Sequence, residues 1–229
     1  MVRGQQDVDV TPEARSGSLH FLLLAGHSAS GTQWPQSCTF VRMSEDPRSQ
    51  RERMLAGDWY TADDELHSMA RRAQHLADRY AETWKADPSA AREVLGDLLG
   101  SLGESTVIRP PLYVDYGVHI RVGARTFVNF GLVALDVAEI TIGDDVQIGP
   151  NVELLTPVHP LEPGPRRNKL EAAKPIRVGN NVWLGGGAIV CPGVSIGENT
   201  VVGAGAVVTK DLPANVLAVG NPARAIREV

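Results

Sequence analysis

Aliphatic residues recur at every sixth position through the last third of the chain: Val178, Leu184, Val190, Ile196, Val202 and Val208 follow one another without a slip. Glycine usually comes next, at Gly179, Gly185, Gly197 and Gly203, and small or branched residues stand four positions after the aliphatic ones, at Val182, Ala188, Val194, Thr200 and Ala206. Neither the 3.6-residue period of a helix nor the two-residue alternation of a strand in a sandwich produces this spacing. A six-residue repeat predicts a β-solenoid, in which each short strand turns one aliphatic side chain inward and a corner follows before the next face begins. Glycine suits such corners, where a Cβ would hinder the backbone angles or the approach of a neighbouring coil.

The same phase runs upstream through Val122, Val128, Ile142, Ile148 and Leu154, with Gly143 and Gly149 in the glycine slot. Two breaks interrupt it. One is a small slip between Ala134 and Ile142. The other is residues 157–175, PVHPLEPGPRRNKLEAAKP, which hold five prolines and no aliphatic period. An irregular excursion of that length inside a compact domain marks a functional loop, so an active-site loop is expected there.

Ahead of the repeats the period changes. Leu66, Met69, Ala73, Leu76 and Tyr80 stand at helical spacing, with Thr61 or Asp63 as the N-cap. Asp87 followed by Pro88 reads as the start of a second helix that buries Val94, Leu95, Leu98, Leu99 and Leu102 and stops at Gly100 and Gly103. The first 42 residues have no periodic apolar face; their single apolar run, LHFLLLAG, is too short to span a bilayer, and acidic residues precede it where a signal peptide would carry basic ones. The expected organisation is a disordered extension over 1–42, an α-helical module over 43–104 and a solenoid over 105–229.

Composition narrows the class. With 229 residues, 43% hydrophobic content and a formal charge of −5, the chain can bury a core and lacks the basic excess of a nonspecific nucleic-acid binder. Cys38 and Cys191 supply neither a disulfide framework nor zinc spacing, which fits a reducing, cytoplasmic location.

NFGLVALDV, TPVHP, GNNVWLGGGAIVCPGVSIGENTVVGAGAVVTKDLP and GNPAR together resemble the maltose/galactoside O-acetyltransferase branch of the hexapeptide-repeat acyltransferases, over residues 53–229. RMLAGDWYTADDEL resembles the helical module which that branch carries ahead of its solenoid. The resemblance implies a left-handed parallel β-helix, a homotrimer with sites between subunits, and acetyl transfer from acetyl-CoA to a sugar-like hydroxyl without a metal.

A hydroxyl is a poor nucleophile near neutral pH and needs a base, for which histidine is suited. The repeat region holds two, His119 and His159. His119 lies in the strand-like VDYGVHIRVG, where an outward histidine is ordinary. His159 opens the irregular excursion, where a coil edge can project it into a cleft, and the resemblance makes it the general base. By the same resemblance Asp115, Asn129 and Asp136 hold acceptor hydroxyls, and Asp63 or Asp64 adds a contact from the helical module. Trp183 is expected as a wall beside the thioester and His159, because hexad slots seldom take an indole inward. Gly186 and Ala204 would admit the pantetheine arm of acetyl-CoA, and Thr209, Lys210, Arg224 and Arg227 would meet its polar and phosphorylated parts. Phe127 stands where the galactoside-binding form of the family carries an aromatic with a hydroxyl, which weighs against galactosides. Acyltransfer to serine, an antibiotic or a nucleotide sugar, and a non-catalytic trimeric scaffold, stay open as alternatives.

Overall fold

The computed structural model describes residues 46–229. The expected extension over 1–42 lies outside them. The described chain begins with three helices and continues as a parallel β-solenoid.

Local chemistry sets each helix start. The first helix, α1 (Gln50–Leu55), opens on a capping box: the Glu52 N–H donates to Ser49 Oγ at 3.1 Å and the Ser49 N–H donates to Glu52 Oε2 at 2.7 Å. The second, α2 (Asp64–Ala86), is capped by Asp63, whose Oδ1 accepts from the Leu66 N–H at 3.1 Å. In the third, α3 (Pro88–Leu98), Pro88 occupies the first helical position and Asp87 Oδ1 accepts from the N–H groups of Ser89 and Ala90. Ala73, Ala77 and Tyr80 of α2 meet Ala91, Val94, Leu95 and Leu98 of α3, and this apolar layer is continuous with the solenoid core.

The solenoid is a three-faced prism. Its first face stacks Ser101–Leu102, Ile120–Val122, Ile140–Ile142, Ile176–Val178 and Ser195–Ile196. The second stacks Val107–Ile108, Phe127–Val128, Gln147–Ile148, Trp183–Leu184, Val201–Val202 and Val216–Val219, and the antiparallel Arg224–Glu228 closes its end. The third stacks Leu112–Val114, Leu132–Leu135, Glu153–Leu155, Ile189–Val190 and Val207–Val208. All six aliphatic residues of the C-terminal hexads are buried, and so are Val182, Ala188, Val194, Thr200 and Ala206 between them. Each fully buried aliphatic side chain contributes about 1.5–3 kcal/mol.

Coil length explains the upstream slip. In the C-terminal coils Arg177 stands beside Ser195, 18 residues on, which is three hexads. In the earlier coils Arg121 stands beside Thr141, 20 residues on. The extra residues collect at one corner, between the third face and the first, in the turns at 115–119 and 136–139. The excursion leaves from that same corner. It is more ordered than its composition predicts, because Pro157 and Val158 pair antiparallel with Ala173 and Ala172, and a short helix, α4 (Pro163–Arg167), sits between them.

Candidate active site

The irregular corner is built by polar side chains acting on backbone. Asp136 is completely buried, and its carboxylate accepts from three N–H groups of the turn one coil below: Asp115 at 3.1 Å and Tyr116 at 2.8 Å on Oδ1, and His119 at 3.1 Å on Oδ2. One coil above, Thr156 Oγ1 accepts from the Ala138 N–H at 3.0 Å and donates to the Leu135 carbonyl at 2.6 Å. Each turn is thereby pinned by a side chain of the next. A satellite core of Met54, Tyr60, Leu66, Tyr116, Val137 and Ala173 covers this corner, joining the helical module to both turns and to the end of the excursion.

His159 stands at the edge of this construction. It is exposed, and its Nδ1 lies 3.1 Å from the Leu170 carbonyl. A carbonyl oxygen only accepts, so Nδ1 carries the proton and Nε2 presents its lone pair. His159 lines a cleft of about 640 Å³ together with Thr61, Ala62, His67, Arg166, Asn168, Lys169 and Glu171. Arg166 Nη1 donates to the carbonyls of Pro160 and Leu161 at 3.0 and 2.7 Å, folding the excursion back on itself around the histidine.

Several sequence expectations change in detail. Neither Asp63 nor Asp64 is among the residues that line the cleft: Asp63 Oδ1 caps the helix, Asp64 is exposed in the first turn, and Thr61 and Ala62 supply the module's wall. Asp136 bears on the site only through the turn it holds, because its carboxylate is sealed from solvent and occupied. Asp115 is half-buried, with Oδ2 buried and unpartnered, and burial, then Asp136, then Glu171 push its carboxyl up to about 7. His119 points away from this role, its Nδ1 donating to the Asp136 carbonyl at 2.7 Å and its ring edge-on to Tyr116.

The remaining residues lie elsewhere on the prism. Asn129 sits at the corner between the second and third faces, where its Oδ1 accepts from the Phe130 N–H at 2.9 Å and from Arg109 Nη1 at 3.4 Å. Gly186 and Ala204 occupy the same corner in later coils. Trp183 is 55% exposed on the second face, between Gln147 and Val201, so within one chain it does not border His159. Thr209 and Lys210 follow the last third-face strand, and Arg224 and Arg227 lie on the closing strand; all four are exposed. Among the described residues no three His, Cys, Asp or Glu side chains are grouped to hold a metal ion.

His67, Lys169 and Glu171 of the cleft were not singled out from the sequence as site residues. His67 falls in the first turn of α2, and the other two lie in the aperiodic excursion, where spacing carries no information.

Two family models match the chain: the maltose acetyltransferase hexapeptide capping motif over residues 53–103 and the bacterial transferase hexapeptide (six repeats) over residues 175–210. The galactoside O-acetyltransferase of Escherichia coli (strain K12) is 38% identical over 179 residues, 78% of this chain and 88% of that protein. A maltose O-acetyltransferase structure from Clostridium difficile 630 superimposes with a TM-score of 0.78 at 38% identity, covering 80% of this chain and 99% of that one. A galactoside acetyltransferase solved in complex with coenzyme A gives a TM-score of 0.76 at 37% identity, covering 79% and 91%.

A prism of stacked hexads, capped by helices and carrying a histidine on an excursion from one corner, defines a hexapeptide-repeat acyltransferase. Within that class the chain belongs to the maltose and galactoside O-acetyltransferase family, and its solenoid is that family's left-handed parallel β-helix.

Proposed function

We propose that this protein transfers the acetyl group of acetyl-CoA directly to a hydroxyl of a sugar, with His159 as the general base. The observation that carries the reading is the hydrogen bond from His159 Nδ1 to the Leu170 carbonyl, which leaves Nε2 as a proton acceptor at the mouth of the cleft. As the acceptor oxygen attacks the acetyl carbon, its proton passes to Nε2. The tetrahedral intermediate, its oxyanion held by backbone N–H groups of a coil turn, then collapses and expels the coenzyme thiolate, which recovers the proton from the imidazolium. Cys191 is a poor nucleophile by comparison, because burial raises its thiol pKa.

The donor side fits an extended thioester. At the corner of Gly186 and Ala204, the adjoining Gly187 and Gly205 have open space where a Cβ would stand, leaving room for a pantetheine arm. Lys210, Arg224 and Arg227 offer exposed cations for phosphates; Arg224 Nη1 uses one donor on the Ala223 carbonyl and keeps the others. Relatives named as maltose and galactoside O-acetyltransferases, one of them with coenzyme A bound, support both substrates.

The complete site, in this reading, forms between copies in a trimer. The corner of His159 and the corner of Asn129, Gly186 and Ala204 flank the third face, so a single chain does not join them. The outward ladders support this. The first face shows Ser101, Arg121, Thr141, Arg177 and Ser195, whereas the third shows Tyr113, Val133, Ile189 and Val207 around Glu153, and the second shows Val107, Phe127, Trp183, Val201 and Leu217 around Gln147. Contiguous outward apolar side chains mark surfaces that other protein covers.

Free thiol released from acetyl-CoA, followed across glucose, maltose, a galactoside, serine and antibiotic alcohols, tests the function; sugar-dependent release is expected. Release with none of them would return the scaffold reading. Sedimentation of the protein tests assembly, and a monomer would overturn the shared site.

A further inference from the structure

We propose that Tyr60 of the helical module is a positioning residue for His159, acting through Glu171 and the peptide that joins it to Leu170. This rests on the reading of His159 as the base. Tyr60 lies between α1 and α2, is completely buried in the satellite core, and grips Glu171 three ways. Its N–H donates to the Glu171 carbonyl at 2.9 Å, its carbonyl accepts from the Glu171 N–H at 3.0 Å, and its hydroxyl donates to Glu171 Oε2 at 2.9 Å. No other residue of the module is paired with the excursion in this way among the described bridges.

The Glu171 N–H and the Leu170 carbonyl belong to one peptide unit. That unit is planar, and its two polar ends point in opposite directions. Holding the N–H on the Tyr60 carbonyl therefore aims the Leu170 carbonyl at His159 Nδ1, which lies 3.1 Å away. The orientation and tautomer of the imidazole depend on that carbonyl. On its other side the segment is fixed by the pairing of Ala172 and Ala173 with Val158 and Pro157, so the chain from 170 to 173 is a short strap held at both ends around the histidine. The hydroxyl to carboxylate bond is the only part of the grip that side-chain replacement can remove without touching the backbone.

The helical module, in this arrangement, does more than cover the open end of the solenoid. It supplies the anchor against which the base is oriented, much as a metal-binding histidine is oriented by a partner on its second nitrogen. Residues 61 and 62, which follow the anchor directly, line the same cleft, so displacement of Tyr60 would reach the acceptor wall as well.

The test compares Tyr60→Phe, Glu171→Gln, Glu171→Leu and the double variant Tyr60→Phe/Glu171→Leu in the full-length protein, with His159→Ala alongside. Steady-state rates and the ¹⁵N shifts of the His159 imidazole are read together. Tyr60→Phe should lower kcat about 5- to 20-fold with the KM for acetyl-CoA unchanged, and should populate the Nε2-protonated tautomer. Glu171→Gln, whose amide oxygen still accepts from the tyrosine hydroxyl, should lose less than Glu171→Leu, and the double variant should be no worse than the poorer single one, as expected for two residues acting as a unit. Should Tyr60→Phe unfold, the Gln and Leu replacements at half-exposed Glu171 carry the same comparison. A kcat within twofold of the parent for both Tyr60→Phe and Glu171→Leu, with the tautomer unmoved, overturns the proposal. Full activity of His159→Ala would instead remove the base assignment beneath it.

Discussion

The regular coils over residues 176–208 and the corner that carries His159 are built on opposite principles. In the coils, geometry alone dictates identity. A Cβ on Gly185 would come within 2.5 Å of the Ala204 nitrogen in the next coil, so glycine is required there by close stacking although its φ is unexceptional. Any inward aliphatic residue of suitable volume would serve beside it. At the corner, extra residues prevent the turns from stacking by repetition, and each is held by one particular side chain: Asp136 for 115–119 and Thr156 for 138. Periodic stacking provides a rigid frame whatever the outward side chains are. The proposed base, His159, stands where the period is broken and specific polar groups have taken over.

Breaking the corner at its tip should have the largest effect. His159→Ala is expected to lower kcat roughly 100- to 10,000-fold, the usual contribution of a positioned general base. The side chain is exposed, so the melting temperature and sedimentation should match the parent. Unchanged turnover would move the base elsewhere.

Asp136 tests the claim that the corner depends on individual side chains. Asp136→Ala strands three backbone N–H groups in a buried turn, at about 1–3 kcal/mol for each unsatisfied group, so a loss of at least about 3 kcal/mol is expected by denaturant titration. A loss below about 1 kcal/mol would show that the turn holds itself.

The same contrast explains what could be read in advance. The hexads were legible because the coil repeats its burial pattern every six residues, and Asp63 and Asp87 were legible as caps because capping is local chemistry. The corner was not. That the turns at 115–119 and 136–139 share an edge with the excursion depends on coil lengths of 20 and 18 residues, visible only once strands are paired. Tyr60 and Glu171 are 111 residues apart in sequence, and nothing in either local context announces the partner. Asp63 shows a related ambiguity: a helix cap and an acceptor contact ask for the same residue type, and the geometry shows that Oδ1 serves the cap.

A subtler probe of the corner is its response to pH. Burial, then Asp136, then Glu171 raise the Asp115 carboxyl to about 7, above its value in the unfolded chain. As pH rises, the unfolded chain releases this proton first, so the stabilisation linked to it is complete below about pH 4 and is lost as pH climbs through about 7. Asp115→Asn, which does not titrate, should flatten that decline by about 2 kcal/mol in chemical denaturation at pH 5 against pH 8. Parallel curves for parent and variant would mean that the Asp115 proton is not coupled to folding.

The smallest expected effect lies on the closing strand and separates donor binding from chemistry. Arg224 is exposed on the closing strand, beside a coil end that geometry alone keeps in place, so Arg224→Ala should leave kcat and the melting temperature near the parent values. If the guanidinium meets a phosphate of acetyl-CoA, it touches a part of the donor remote from the thioester, and its contribution is realised equally in the ground and transition states. The KM for acetyl-CoA should then rise by roughly 3- to 10-fold while the KM for the acceptor stays put. Salt offers an independent check, because mobile ions screen an exposed charge pair: added salt should weaken donor binding in the parent and matter less in the variant. Acetyl-pantetheine, which lacks the phosphorylated nucleotide, should be a poorer donor than acetyl-CoA for the parent, and Arg224→Ala should lose much of that discrimination. An unchanged preference would take Arg224 out of the donor site and leave the phosphates to Lys210 and Arg227.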